Sequence, residues 1–162
     1  MTRPNDVDFC FQLWPHGWST ARLWIDREFS EFQLSYVFND PLESLLQSTI
    51  RLANGESTAT IEWSDEPGTF ILKFAAVPNE HHLLSIELSE YSSELPVHAS
   101  KDLIKTTNFF VVRKYWLHLV VSELQKIAES FSHQHYREAR NYTFPRTLYN
   151  ELQAVLEAKN AT

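Results

Sequence analysis

The chain has 162 residues, 43% hydrophobic and 22% charged, a balance that fits one ordinary globular domain and argues against disorder, a fibrous repeat or a membrane protein. With 14 Lys and Arg against 21 Asp and Glu, the formal charge of −7 opposes attraction to phosphate backbones and disfavours nucleic acid as a partner. A lone Cys10 excludes an intrachain disulfide and a multi-cysteine zinc site, and three scattered glycines, Gly17, Gly55 and Gly68, exclude the glycine-rich phosphate loops of P-loop and dinucleotide-binding proteins.

The first third alternates apolar and polar residues, the period that places one set on each face of a strand. Phe9, Phe11 and Leu13 alternate with Asp8, Cys10 and Gln12; Ala21, Leu23 and Ile25 with Arg22, Trp24 and Asp26; Phe32, Leu34, Tyr36 and Phe38 with Glu31, Gln33 and Ser35. Pro15-His16-Gly17 has turn chemistry and predicts a hairpin. Asp40 before Pro41 is a helix start, Leu42, Leu45, Leu46 and Ile50 recur at helical spacing, and Asn54-Gly55 is a left-handed stop.

Alternation returns at Ala59, Ile61 and Trp63, at Phe70, Leu72, Phe74 and Ala76, and at Leu84, Ile86 and Leu88, with turns at Ser64 to Gly68 and Pro78 to His82. Tyr91 to Lys101 loses all periodicity and reads as an irregular connection. Leu103 to Thr107 reads as a last short strand. Phe109, Val112, Trp116, Val120, Leu124, Ile127 and Phe131 then predict one long helix, and Phe144-Pro145 opens a final helix through Leu148, Leu152, Val155 and Leu156. The expectation is a single α+β domain over 1–162: an antiparallel sheet of six or seven strands in a two-layer arrangement, helices packed on one face.

The amino terminus lacks the basic flank and apolar run of a signal peptide, and no stretch reaches about 18 apolar residues, so a cytoplasmic protein is expected and membrane is not. Seven histidines raise the question of metal. His81-His82 are neighbours in a predicted turn, and His133-x-His135 would diverge by about 200° on a regular helix, so neither pair has ligand spacing and no metal or cofactor is expected. Cys10, between Phe9 and Phe11 with no cation near it in sequence, reads as an unreactive sheet-face thiol. The adjacent acids Asp65 and Glu66 read first as solvated turn residues.

Aromatic residues make 14% of the chain. Trp18 stands beside the first turn with Trp14 and His16, and Trp24 falls on the polar phase of its strand, so it should face away from the helices. Trp18, Trp24, Trp63, Asp65 and Glu66 are therefore the expected interaction surface: aromatic anchors beside negative charge, suited to a protein partner or to self-association. A small-substrate hydrolase with an aromatic-lined cleft over His16, Asp65 and Glu66 is the competing reading, and a structural homo-oligomer is the third.

The run Ser35-Tyr36-Val37-Phe38-Asn39-Asp40-Pro41-Leu42-Glu43-Ser44-Leu45-Leu46, with Trp63-Ser64-Asp65-Glu66-Pro67-Gly68 and the late Phe144-Pro145, resembles a family of uncharacterised bacterial α+β proteins, some of them similar to immunity-type partners of bacterial toxins. The resemblance implies the order of elements more than any activity, and it brings no catalytic residues with it; the protein-binding reading comes from the acidity, the exposed-phase Trp24 and the absence of a catalytic signature.

Overall fold

The computed structural model describes residues 3–93 and 102–160. Among them, seven strands and four helices follow in the order β1 (Val7–Leu13), β2 (Ser19–Ile25), β3 (Glu28–Leu34), α1 (Pro41–Ala53), β4 (Thr58–Ser64), β5 (Thr69–Val77), β6 (Glu80–Tyr91), β7 (Leu103–Val112), α2 (Arg113–Ser130), α3 (Gln134–Arg140) and α4 (Arg146–Asn160). The α+β class and the antiparallel pairing are as expected. The single sheet is not: β1-β2-β3 form one sheet and β4-β5-β6-β7 a second. None of the described helices is long and apolar enough to cross a membrane.

The split has a local cause. After β3 the chain leaves for α1, and its return as β4 meets β3 only at the bridge between Ser35 and Ser64, where the Ser35 amide donates to the Ser64 carbonyl at 2.7 Å. On the far side Asn5 and Phe110 tie the start of β1 to β7 with two bonds of 2.8 Å. Helix α1 begins as its residues dictate: the Asp40 carboxylate accepts from the amides of Leu42 and Glu43, and Gly55 takes the positive φ of 87° that ends the helix.

The predicted long helix is two elements. Phe109 to Val112 complete β7, with Phe109 and Val111 buried in strand alternation, and α2 starts only at Arg113. Val112 is thus a strand end, while Trp116, Val120, Leu124 and Ile127 form the buried stripe that was expected. The short α3 has no buried residue and no periodic signal. Of the irregular connection, Tyr91 closes β6, and 94–101 lie outside the described residues.

The inner faces of both sheets share one core with the helices. Phe32 of β3 meets Phe70 of β5 edge-on at 4.6 Å, and Trp116 of α2 lies between Phe9 of β1 at 5.5 Å and Phe74 of β5 at 5.4 Å. Trp63 of β4 lies against Phe11 and Phe32 and donates its indole N–H to the Pro41 carbonyl at 3.0 Å. The helices therefore serve a core that two sheets share, and do not simply cover one face of one sheet. Replacing Trp116 by Ala is expected to cost about 3–5 kcal/mol, because it removes a ring that both sheets touch and leaves a cavity; denaturant unfolding measures this, and a loss below about 1 kcal/mol would show that the ring bears no core load.

Asp40 has a second bond. Its other carboxylate oxygen accepts the hydroxyl proton of Tyr142, from the segment between α3 and α4. Burial, and then the hydrogen bond and negative charge of Asp40, push the Tyr142 hydroxyl far above the ordinary tyrosine pKa. The folded chain thus holds this proton more tightly than the unfolded chain does. The resulting stability is fully present below the unfolded tyrosine value of about 10 and is lost as pH rises past it. Between about pH 9 and pH 11 the melting temperature of the wild type should consequently fall further than that of Tyr142→Phe, and parallel curves would show that the buried hydroxyl does not control the alkaline limb.

Candidate functional site

The polar phases of β1, β2 and β3 form the outer face of the three-stranded sheet. Its register sets Asp8, Trp24 and Phe29 in one row, Cys10, Arg22 and Glu31 in the next, and Gln12, Thr20 and Gln33 in the third. A continuous hydrogen-bond chain crosses these rows. The Trp14 indole N–H donates to the Thr20 hydroxyl at 2.7 Å, Thr20 donates to the Gln33 side-chain oxygen at 3.1 Å, the Gln33 amide donates to Glu31 at 3.2 Å, and Arg22 donates to the same carboxylate at 2.7 Å. The Arg22–Glu31 pair is solvent-exposed and adds little stability. Its effect is to tie a long side chain of β2 to one of β3.

Trp24 points outward, as its phase requires, and remains 38% exposed; its neighbour on β3, Phe29, is 53% exposed, and their rings lie 5.0 Å apart. Trp18, in extended conformation just before β2, continues the phase of Thr20, Arg22 and Trp24 and is also exposed. Six residues of strand separate the two tryptophans by about 20 Å. Near Trp18 the turn closes on the following loop: Gly17 has φ 80°, and a Cβ there would sit 1.9 Å from the Tyr36 ring. Tyr36, Val37 and Phe38 extend this exposed apolar end of the molecule.

The acidic turn belongs elsewhere. Trp63 is fully buried, so it offers no contact surface; its place is in the core, on the same phase as Ala59 and Ile61. The Asp65 carboxylate accepts the Gly68 amide at 2.8 Å, and the exposed Glu66 accepts the Ser35 hydroxyl. Asp65 thereby closes its own turn, and Glu66 helps hold the junction between the two sheets. His16 lies exposed at the tip of the first turn with φ 63°. The loops are linked, since Gly17 packs on Tyr36 and Ser35 binds Glu66.

Cys10 is half-buried on the outer face. Burial, and then the charge of Glu123 and a hydrogen bond to it, raise the thiol pKa, with Lys126 and Arg22 opposing. A thiol so placed is a poorer nucleophile than a free cysteine at neutral pH. The histidine pairs stand differently from expectation: His81 and His82 are exposed on β6, not in a turn, and His133 and His135 flank the start of α3, beyond the end of α2. Among the described residues no three His, Cys, Asp or Glu side chains gather to hold a metal ion.

Phe29, Glu31 and Gln33 are site residues that sequence reasoning passed over, while Trp14, noted beside the first turn, joins the site through its indole N–H. The signal for Phe29 was available, because a two-residue turn at Asp26-Arg27 puts it directly across from Trp24. The hydrogen-bond chain had no such signal, since it depends on rotamers. Comparison with protein-family models, with curated proteins and with solved structures finds no match.

Proposed function

We propose that this is a non-catalytic, bacterial cytoplasmic protein that binds another protein through the outer face of its three-stranded sheet. The observation that supports this reading is the Trp24–Phe29 pair, two adjoining, partly exposed aromatic rings beside an internally bonded polar surface. Large rigid rings bordered by polar groups are what interface hot spots are built from, because they bury much area at little entropy cost. Asp8 beside Trp24, and a net charge of −7, favour a partner with a basic rim. The resemblance to immunity-type partners of bacterial toxins points to the same class of role. Trp18 belongs to this surface, whereas Trp63 does not, and Asp65 and Glu66 act on it only through the loop they hold.

The test uses Trp24→Ala and Phe29→Ala as baits beside the wild type, with Tyr115→Ala, an exposed ring on α2, as control. Loss of a hot spot of about 2 kcal/mol weakens binding about 30-fold, so both sheet variants should lose the partner at wild-type melting temperature while the control keeps it. Folded variants that retain every partner and the same mass in light scattering would overturn the proposal; loss of self-association alone would make the face a homodimer interface.

A further inference from the structure

The strand edges of this fold are not treated alike. In an antiparallel ladder, backbone groups of alternate residues point to opposite sides of the strand. On β1 the outward groups belong to odd-numbered residues, and partners from other elements reach two places along that side: Asn5, just before the strand, bonds to Phe110, and the Phe11 amide donates to the buried Glu123 carboxylate of α2 at 3.2 Å. Along β4 the Glu62 carbonyl accepts from the Asn39 side chain at 2.6 Å. On β3 the same alternation turns the amides and carbonyls of Phe29, Glu31 and Gln33 away from β2. Among the described residues, no strand pairs with that side of β3 except at its end, where Ser35 meets Ser64.

A cleft runs beside this open edge. Its walls are Ser30, Glu31 and Phe32 of β3 and, from the other sheet, Phe70, Leu88 and Thr107 with the charged side chains of Glu90 and Lys105 beside them, and its volume is about 170 Å³. A cavity on the order of 150 Å³ holds a benzene-sized group, so one aliphatic or aromatic side chain fits. We infer that β3 is a docking edge at which an extended segment of the partner protein adds as a fourth, antiparallel strand. This rests on the reading of the outer face as a protein-contact surface and gives that surface its mode of binding.

The geometry sets the chemistry of the segment. Residues directly opposite Phe29, Glu31 and Gln33 would exchange both backbone hydrogen bonds with them and share the outer face. There they meet an aromatic ring and the Glu31 carboxylate, whose charge Arg22 already offsets in part, so long side chains that lay an apolar stem on the ring and bring a cationic end to the carboxylate suit these positions. The residues between them would point to the inner side, over Phe32, Phe70 and Leu88, and should be apolar. A second copy of β3 is a poorer occupant, because antiparallel pairing centred on Glu31 would set that carboxylate against its own copy.

The probe is an acetylated, amidated octapeptide alternating Lys and Val, titrated to about 1 mM against the full chain and followed through backbone amide shifts. Shifts should concentrate on Phe29, Glu31 and Gln33. N-methylation of the Lys residues should weaken binding at least tenfold, since their amides face β3, whereas N-methylation of the Val residues should leave it unchanged. Glu31→Lys should weaken the Lys-Val peptide and bind its Glu-Val counterpart. Equal affinities for the two methylated peptides, shifts centred elsewhere, or no binding would overturn the inference. So would a doubled mass that the peptide does not reduce, which would give the edge to a second copy. Trp24→Ala losing the partner while no peptide binds would leave the protein-contact reading intact and remove only the strand-addition mode.

Discussion

Each sheet edge presents a row of backbone donors and acceptors, and the whole arrangement depends on how those rows are satisfied. A continuous seven-stranded sheet would have two edges; two sheets have four. Here the extra edges are offset by few, specific contacts. Ser35 and Ser64 join β3 to β4 at one point, Asn5 and Phe110 join β1 to β7 at another, and Glu123 reaches from α2 to the middle of β1. That carboxylate also takes Lys126, so its buried charge is paired as well as hydrogen-bonded. On β7 the stretch before the Asn5 contact leaves Leu103, Ile104, Lys105, Thr106 and Asn108 exposed, so that strand keeps a second open edge.

Trp63 ties these edges to the core. Its ring reaches the three-stranded sheet through Phe11 and Phe32, and its N–H fixes the first carbonyl of α1 at Pro41. One residue earlier, Asp40 caps that helix and binds Tyr142. Both sheets, α1 and the segment before α4 thus meet within a few side chains. The junction gives Ser35, Asn39, Asp40 and Glu66 their bonding roles, and Trp63 does not form the contact surface expected of it.

Residue periodicity revealed faces well and neighbours poorly. Ala21, Leu23 and Ile25 are buried and Trp24 is not, as alternation demands, and the capped start and glycine stop of α1 are where Asp40 and Gly55 place them. Alternation cannot say which strand lies beside which, so nothing in Phe32, Leu34 or Ala59 separates one sheet of seven strands from two. Phe109 to Val112 satisfies both a strand and a helix, and pairing with β6 decides for the strand. Trp63 is the instructive error. Its own alternation with Ala59 and Ile61 assigned it to the core, and reading its turn as a surface set a motif above that phase. The Trp24 site was half legible: the ring's direction follows from period two, while its partner Phe29 and the Thr20–Gln33–Glu31–Arg22 chain require the register of three strands.

The molecule thus reaches β1 from α2 and β7 at Phe11 and Asn5, joins β3 to β4 at Ser35, and leaves the middle of the β3 edge beside its aromatic face without a strand partner among the described residues. Native-state hydrogen exchange on the unliganded chain reads this directly, residue by residue. The Phe11 amide, held by Glu123 beneath α2, should exchange close to the rate of global unfolding, while the outward amides of Glu31 and Gln33 should exchange at least about a thousandfold faster, as solvated edge groups do. Equal protection at Phe11, Glu31 and Gln33 would mean that the β3 edge is already paired, and the account of this sheet as the molecule's open surface would be wrong.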